Sequence, residues 1–369
     1  MLTISGKWPV AVPYPLSPTP HFSTKEKNSM EKIKEILKTL VSCPVVSGRE
    51  STEFKTINEL CAPYFDLIEL DTVGNIILTK LTGKDDAKKL MLDAHFDVIG
   101  LMVTKIHDNG FLSVCNIGGI DARILPSSEV TIHGKEKVYG VIVSTPPHLK
   151  SGESKVPKMD TILIDTGICK DELERIVSIG DTITINGDYM EMENGYIMSS
   201  FLDNRSCATA CIDAIAKIDR RDLAYDTYVV ISSGEEVGRM QTRVACFNIE
   251  PDIVITTDVN FAKEPEIEAR HSIECKKGPS VDISALTDRI LSRKILSLAK
   301  ENNIPCQIVV EPRGTGTNND ILSVTGKGSR CVVMSLPLKS MHTTCESVNL
   351  IDIKYLSDLL SIIAKEANL

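Results

Sequence analysis

Two hydrophobic periods alternate along the chain. From Met30 onward, Ile33, Ile36, Leu37 and Leu40 recur at the three- and four-residue spacing that places apolar side chains on one face of a helix. Asn75–Lys80 and Lys89–Ala94 are short apolar runs of the kind that form buried strands. Residues 99–191 change character. There, short β-type runs at Phe111–Val114, Val130–His133, Val138–Val143 and Thr182–Asn186 are separated by Gly and Asp turns, with one helix near Asp171–Val177. From residue 200 the alternation of strand and helix returns. Arg205–Ile218 and Asp288–Glu301 predict helices, and Thr227–Ser232, Asp252–Thr257, Cys306–Val310 and Cys331–Leu336 predict strands. Residues 352–367 predict a closing helix with Ile353, Leu356, Leu360 and Ile363 on one face.

Strand–helix alternation predicts an α/β fold, a mainly parallel sheet with helices on both faces. The β-rich stretch 99–191 then reads as a small inserted domain, with 30–98 and 192–369 forming the larger catalytic domain around it. Residues 1–29 carry Pro9, Pro13, Pro15, Pro18 and Pro20 and no continuous apolar region, and are expected to be a disordered or non-native extension.

Composition narrows the function. The length of 369 residues suits two domains, and 42% apolar with 25% charged residues is the balance of a soluble globular protein. A net charge of −9 repels phosphate backbones, which argues against nucleic acid as a partner, and 5% aromatic content argues against a sugar- or base-stacking surface. No apolar run reaches the roughly 18 residues of a membrane span. The eleven cysteines are scattered without a CxxC pair and mostly sit among apolar neighbours, so reduced thiols and a cytoplasmic setting are expected.

Acidic residues and histidines recur where the expected strands end. His95 and Asp97 follow Lys89–Ala94, Glu235 and Glu236 follow Thr227–Ser232, Asp258 ends Asp252–Thr257, and His342 follows Cys331–Leu336 by a short loop. Asp203 stands just before the helix at Arg205. Singly, each has an ordinary reading: a hydrogen-bonded histidine, a helix N-cap, a solvated Glu pair. Together they lie on one edge of a parallel sheet, where ligands bind. Imidazoles and carboxylates in such a set suit a dinuclear hydrolytic site, which needs a bridging carboxylate and a free one to take a proton from water. His107, His133 and His271 lack an acidic partner pattern, His21 lies in the extension, and His148 follows two prolines in the inserted segment; none is given a role.

Several segments in order carry a family resemblance: DAHFDVIGLMVTKI at 93–106, GGID at 118–121, STPPH at 144–148, SFLDNR at 200–205, SSGEEVG at 232–238, TTDV at 256–259 and SLPLKSMHT at 335–343. From residue 30 to the end the chain resembles the tetrahedral-aminopeptidase family of dinuclear metallopeptidases, which includes glutamyl aminopeptidases and proteins labelled cellulase M. The resemblance implies two divalent metal ions, usually zinc or cobalt. It casts His95 and Asp258 as ligands of the first, Glu236 and His342 of the second, and Asp203 as the bridge. Glu235 resembles the general base and Asp97 the acid that orients the imidazole of His95. The activity implied is removal of the N-terminal residue of peptide substrates, and the inserted domain implies homo-oligomers, from dimers to hollow dodecamers. Three departures stand out. Val237–Thr242 replaces the family's Val-Gly-Leu-Arg-Gly-Ala, Cys207 replaces a Gly, and Gly316-Thr317-Asn318-Asn319 replaces Gly-Thr-Asp-Ala in a loop expected to border the substrate pocket. A di-metal deacylase of N-acyl amino acids or peptides is the main alternative; a glycosidase or an inactive scaffold would leave the His and acid set without use.

Overall fold

The computed structural model describes residues 24–144 and 156–369, apart from Glu266, Ala269 and His271. His21, His148, His271, residues 1–23 and most of the 144–148 motif therefore lie outside the described residues. Helix α1 (Thr24–Val41) begins before Met30, so residues 24–29, assigned to the extension from sequence, are helical.

After α2 (Phe54–Cys61) come β1 (Leu67–Leu70), β2 (Ile76–Lys80) and β3 (Lys89–His95). The chain then builds β4 (Gly100–Ile106), β5 (Leu112–Ile117), β6 (Glu129–His133), β7 (Lys137–Ile142), β8 (Leu163–Asp165), α3 (Lys170–Ile176) and β9 (Thr182–Ile185). These six strands close into a barrel in the order β4-β5-β8-β7-β6-β9, around a core that includes Leu101, Leu112, Val130, Ile132, Ile164 and Ile183. The short strands β10 (Met190–Glu191) and β11 (Tyr196–Ser199) lead to α4 (Leu202–Ala216), β12 (Asp226–Ser232), α5 (Thr242–Ile249) and β13 (Ile253–Phe261). The chain ends with β14 (Ser280–Ser284), α6 (Arg289–Glu301), β15 (Gln307–Glu311), α7 (Asn319–Leu322), β16 (Arg330–Leu338), β17 (Glu346–Asn349) and α8 (Leu350–Lys365). Strand β17 pairs with β11, which pairs with β10.

The main sheet has eight strands in the order β1-β2-β12-β3-β13-β16-β14-β15. Its centre, β12-β3-β13-β16, is parallel; β2 and β14 run antiparallel to their inner neighbours. Successive side chains of a strand point to opposite faces, and both faces here are apolar. Leu90, Leu92, Val229, Ile231, Ile253 and Ile255 pack beneath α1, α4, α6 and α8, while the intervening Met91, Val230 and Val254 pack against α5 and α7. Continuous apolar runs are thus a consequence of two-sided burial. Parallel register also aligns the carboxyl ends: Ser232 lies opposite His95, and Asp258 opposite Ser335.

Candidate active site

Six of the residues singled out from sequence meet at the carboxyl edge of the central strands. His95 ends β3, and its Nε2 lies 3.1 Å from Asp203 Oδ1 and 3.6 Å from Asp258 Oδ1. His342, in the loop after β16, puts Nε2 3.4 Å from Asp203 Oδ2 and 3.3 Å from Glu236 Oε1. Asp203 therefore turns one oxygen to each imidazole. His95–Asp203–Asp258 and Asp203–Glu236–His342 each bring three donor atoms within 4.8 Å of one another, as do His95, Glu235 and Glu236.

Local structure explains each position. Asp203 lies in the first turn of α4, where φ −78° and ψ 109° depart from the helix; its side chain makes no capping bond and faces the histidines. Asp258 does not end its strand, since β13 runs on to Phe261 alongside β16. Glu235 and Glu236 follow a tight turn at Gly234, whose φ of +67° suits glycine and where a Cβ would lie 2.3 Å from the Gln241 side chain. His342 itself has a left-handed φ of +61°, a strained position of the kind held in place at functional sites.

The supporting groups are mostly ones that sequence reasoning did not identify. Asp97 was expected to orient His95 through its carboxylate. Instead its backbone carbonyl meets His95 Nδ1 at 3.0 Å, with the carboxylate 3.7 Å away. The carboxylate accepts the backbone N–H groups of Glu235 (3.0 Å) and Glu236 (3.1 Å) and the Ser47 hydroxyl (2.6 Å), so it holds the Glu–Glu turn. Glu50 accepts the Gly234 N–H at 3.0 Å on the same turn. Glu346 is buried at 2% exposure and accepts the backbone N–H groups of Asp203 (3.1 Å) and His342 (2.8 Å), tying the two proposed ligands together. The barrel contributes as well: the Gly119 carbonyl lies 3.0 Å from His342 Nδ1. Of these groups, Asp97 and Gly119 carried a signal in sequence, both within motifs quoted for the resemblance.

Electrostatics are dominated by crowded carboxylates in a low-dielectric place. Burial pushes the Glu235 carboxyl up to about 8, with His95 pulling it down and Asp258 and Glu236 adding to the rise. Burial also raises Glu236 and Asp258. Asp203 goes the other way: against burial, His342 and His95 hold it well below the usual carboxylate range. Burial opposes charge on His342, but Asp203 and Glu236 prevail and raise it to about 11. Glu235 Oε1 also accepts from Arg239 Nε at 2.8 Å. Asp203 Oδ1 is buried without a hydrogen-bond partner. Three carboxylates beside two imidazoles, with an orphaned oxygen between them, form a donor set that fits divalent cations.

The departures noted in sequence have local explanations. Asn318 does not border the cleft: it is 1% exposed, and its Nδ2 donates to Asp93 Oδ2 (2.9 Å) and Ser232 Oγ (3.0 Å) beneath the site. Its neighbours Gly314–Thr317 do line the cleft. Cys207 is buried, and its thiol donates to the Asp258 carbonyl at 2.9 Å, bracing a proposed ligand strand. Among the described histidines without a role, His107 and His133 bond to Ser113 (2.7 Å) and Thr184 (2.9 Å) within the barrel, away from the cluster.

Comparison with known proteins agrees with this geometry. The sequence model of the M42 glutamyl aminopeptidase family matches residues 74–359. A lysyl aminopeptidase from Pyrococcus furiosus is 31% identical over 86% of this chain and 93% of its own. An aminopeptidase structure from the archaeon Desulfurococcus kamchatkensis superposes with a TM-score of 0.84 at 26% identity, over 91% of this chain and 95% of that one. The TET1 peptidase of Pyrococcus horikoshii, described as assembling into a tetrahedron or a large octahedral shell, gives a TM-score of 0.80 at 28% identity, over 90% and 99% of the two chains. With family, fold and donor set in agreement, the chain belongs to the M42 glutamyl aminopeptidase family and is a metal-dependent aminopeptidase.

Proposed function

We propose that the chain removes N-terminal residues from peptides using two divalent cations, zinc or cobalt, with Glu235 as general base. The observation that carries this reading is Asp203, whose two oxygens face His95 and His342 separately. His95 and Asp258 would hold one ion, Glu236 and His342 the other, and Asp203 both. Bound there, the ions would supply Lewis-acid activation of water and of the scissile carbonyl.

The chain's own groups do the rest. Glu235 belongs to a cluster of three donors but is left over once Asp203 is shared, so it is free to move a proton. Its Oε1 is held by Arg239, leaving Oε2 to take the proton of the attacking water and pass it to the leaving amine. Asp97 and Glu50 fix the backbone of that turn, so the base stays beside His95 and Glu236. Glu346 keeps Asp203 and His342 in register.

Glu235→Gln tests the base directly. The expected result is loss of turnover by at least about 100-fold with metal content unchanged. Activity near the wild-type level would refute the assignment.

Two further points belong to the same proposal. The barrel carries Tyr139 and Val141 exposed on one strand, and we assign it to contacts with a second copy of the chain, in line with the shells described for the Pyrococcus horikoshii peptidase. All eleven cysteines are free thiols, which supports a reducing, cytoplasmic setting.

A further inference from the structure

The cleft that reaches the two histidines continues past them across β16 to β14 and β15, with about 1280 Å³ of space open to solvent. Its far wall is acidic. From Asp258 on β13 the row passes to Ser335, its register partner on β16, whose hydroxyl donates to Asp282 Oδ2 on β14 at 2.7 Å. Beside β14 runs β15, parallel to it, ending at Glu311. Asp282 lies level with Val309, and Glu311 is two residues further along, so the two carboxylates share one face of neighbouring strands.

These two acids lack a cation. Asp282 is 3% exposed and accepts only hydroxyls, from Ser280 (2.6 Å) and Ser335. Burial pushes its carboxyl up to about 6, and Glu311 adds to the rise. Glu311 itself has no hydrogen-bond or ion-pair partner among the described residues. Apart from the imidazoles, the basic side chain lining the cleft is Arg239, and it is already engaged by Glu235 at 2.8 Å with Asp320 at 3.7 Å. Buried carboxylates are retained where something pairs with them. Val259, Phe261 and Met341 line the same cleft and offer apolar surface to a methylene stem.

We propose that Asp282 and Glu311 receive the cationic side chain of the substrate's first residue, so that the enzyme prefers peptides beginning with lysine or arginine. This rests on the aminopeptidase reading above: with the scissile carbonyl at the paired histidines, the side chain of the first residue is left to run along the acidic row. An N-terminal glutamate would meet two like charges there, so the preference is the reverse of the family's glutamyl label.

The test is kcat/KM for lysyl, arginyl, norleucyl and glutamyl p-nitroanilides with zinc- or cobalt-loaded protein. Norleucine has the shape of lysine without its charge. The wild type is expected to favour lysine over norleucine by at least about tenfold, with glutamate cleaved most slowly. Glu311→Gln is expected to cut the lysine-to-norleucine ratio by about tenfold while leaving norleucine within about twofold. Equal rates for lysine and norleucine in the wild type, or an equal loss on both in Glu311→Gln, would overturn the proposal. Calorimetric binding of L-lysinamide and L-norleucinamide to Glu235→Gln gives a readout that needs no turnover. Tighter binding of lysinamide, abolished by adding Glu311→Gln, supports the acidic subsite, and equal binding refutes it. If no p-nitroanilide were cleaved at all, the aminopeptidase reading would fail separately, with the binding result still deciding the subsite.

Discussion

Replacing Asn318 by aspartate restores the residue that the resembled family carries in this loop, yet here it should destabilise the protein. Asn318 is 1% exposed and donates to Asp93 Oδ2 at 2.9 Å, while Asp93 is fully buried. Burial pushes the Asp93 carboxyl up to about 6, even with Asn318, Ser232 and Thr242 lowering it. An aspartate at 318 removes two donated hydrogen bonds and sets a second carboxylate against the first. Losing a hydrogen bond to a buried charge costs about 1.5–3 kcal/mol, and an uncompensated buried charge about 3–5 kcal/mol. The pair escapes most of the second cost by keeping one proton between them, so the penalty depends on pH. In the variant the native state would hold one proton across pH 6 to 8 that the unfolded state has released. Stability then falls with rising pH by about 1.4 kcal/mol per unit. In the wild type Asp93 is about half ionised at pH 6 and loses its remaining proton soon above it, so it adds only about 0.4 kcal/mol to the pH dependence over that range. The other carboxyls raised by burial titrate alike in both proteins. The variant should therefore lose about 2–3 kcal/mol more than the wild type between pH 6 and 8. Urea denaturation of metal-free protein at the two pH values measures this. A loss below about 1 kcal/mol, equal at both pH values, would refute the reasoning.

Two other substitutions probe the site. Asp203→Asn leaves one oxygen to serve two imidazoles, and should weaken metal binding by more than the 10–100-fold typical of outer supports, measured by competition with a chromogenic chelator; metal affinity within about threefold of wild type would contradict its bridging position. Glu346→Gln keeps one acceptor for two backbone N–H groups, and should lower metal affinity by about 10–100-fold with the fold intact by circular dichroism. Unchanged affinity would mean that Asp203 and His342 hold their places without it.

Sheet and helix were legible wherever burial wrote a clear period. Leu90, Leu92 and Ala94 alternate with Met91 between two apolar layers, and so β3 reads as a continuous apolar run. Strand β14 was not legible: Asp282 faces the cleft and accepts from Ser280, Ser284 accepts from the Leu286 N–H, and their polar alternation resembles a loop. Strand β1, with three of four residues exposed, was lost for the opposite reason. The chemical residues at strand ends could be read because parallel strands deliver their carboxyl ends to one place. What holds them could not. Glu346 and Glu50 act on backbone N–H groups more than 140 residues away in sequence, and no spacing rule links them to those groups. Asn318 was misplaced because a loop that borders the cleft sends this one side chain inward to a buried acid.

Cleavage of free-amine and N-acetylated aminoacyl amides, with and without a chelator, tests the central claim most directly. The account predicts that only the free-amine substrates are cut, that the chelator abolishes this, and that zinc or cobalt restores it. Cleavage of the blocked substrates, or turnover indifferent to the chelator, would contradict it.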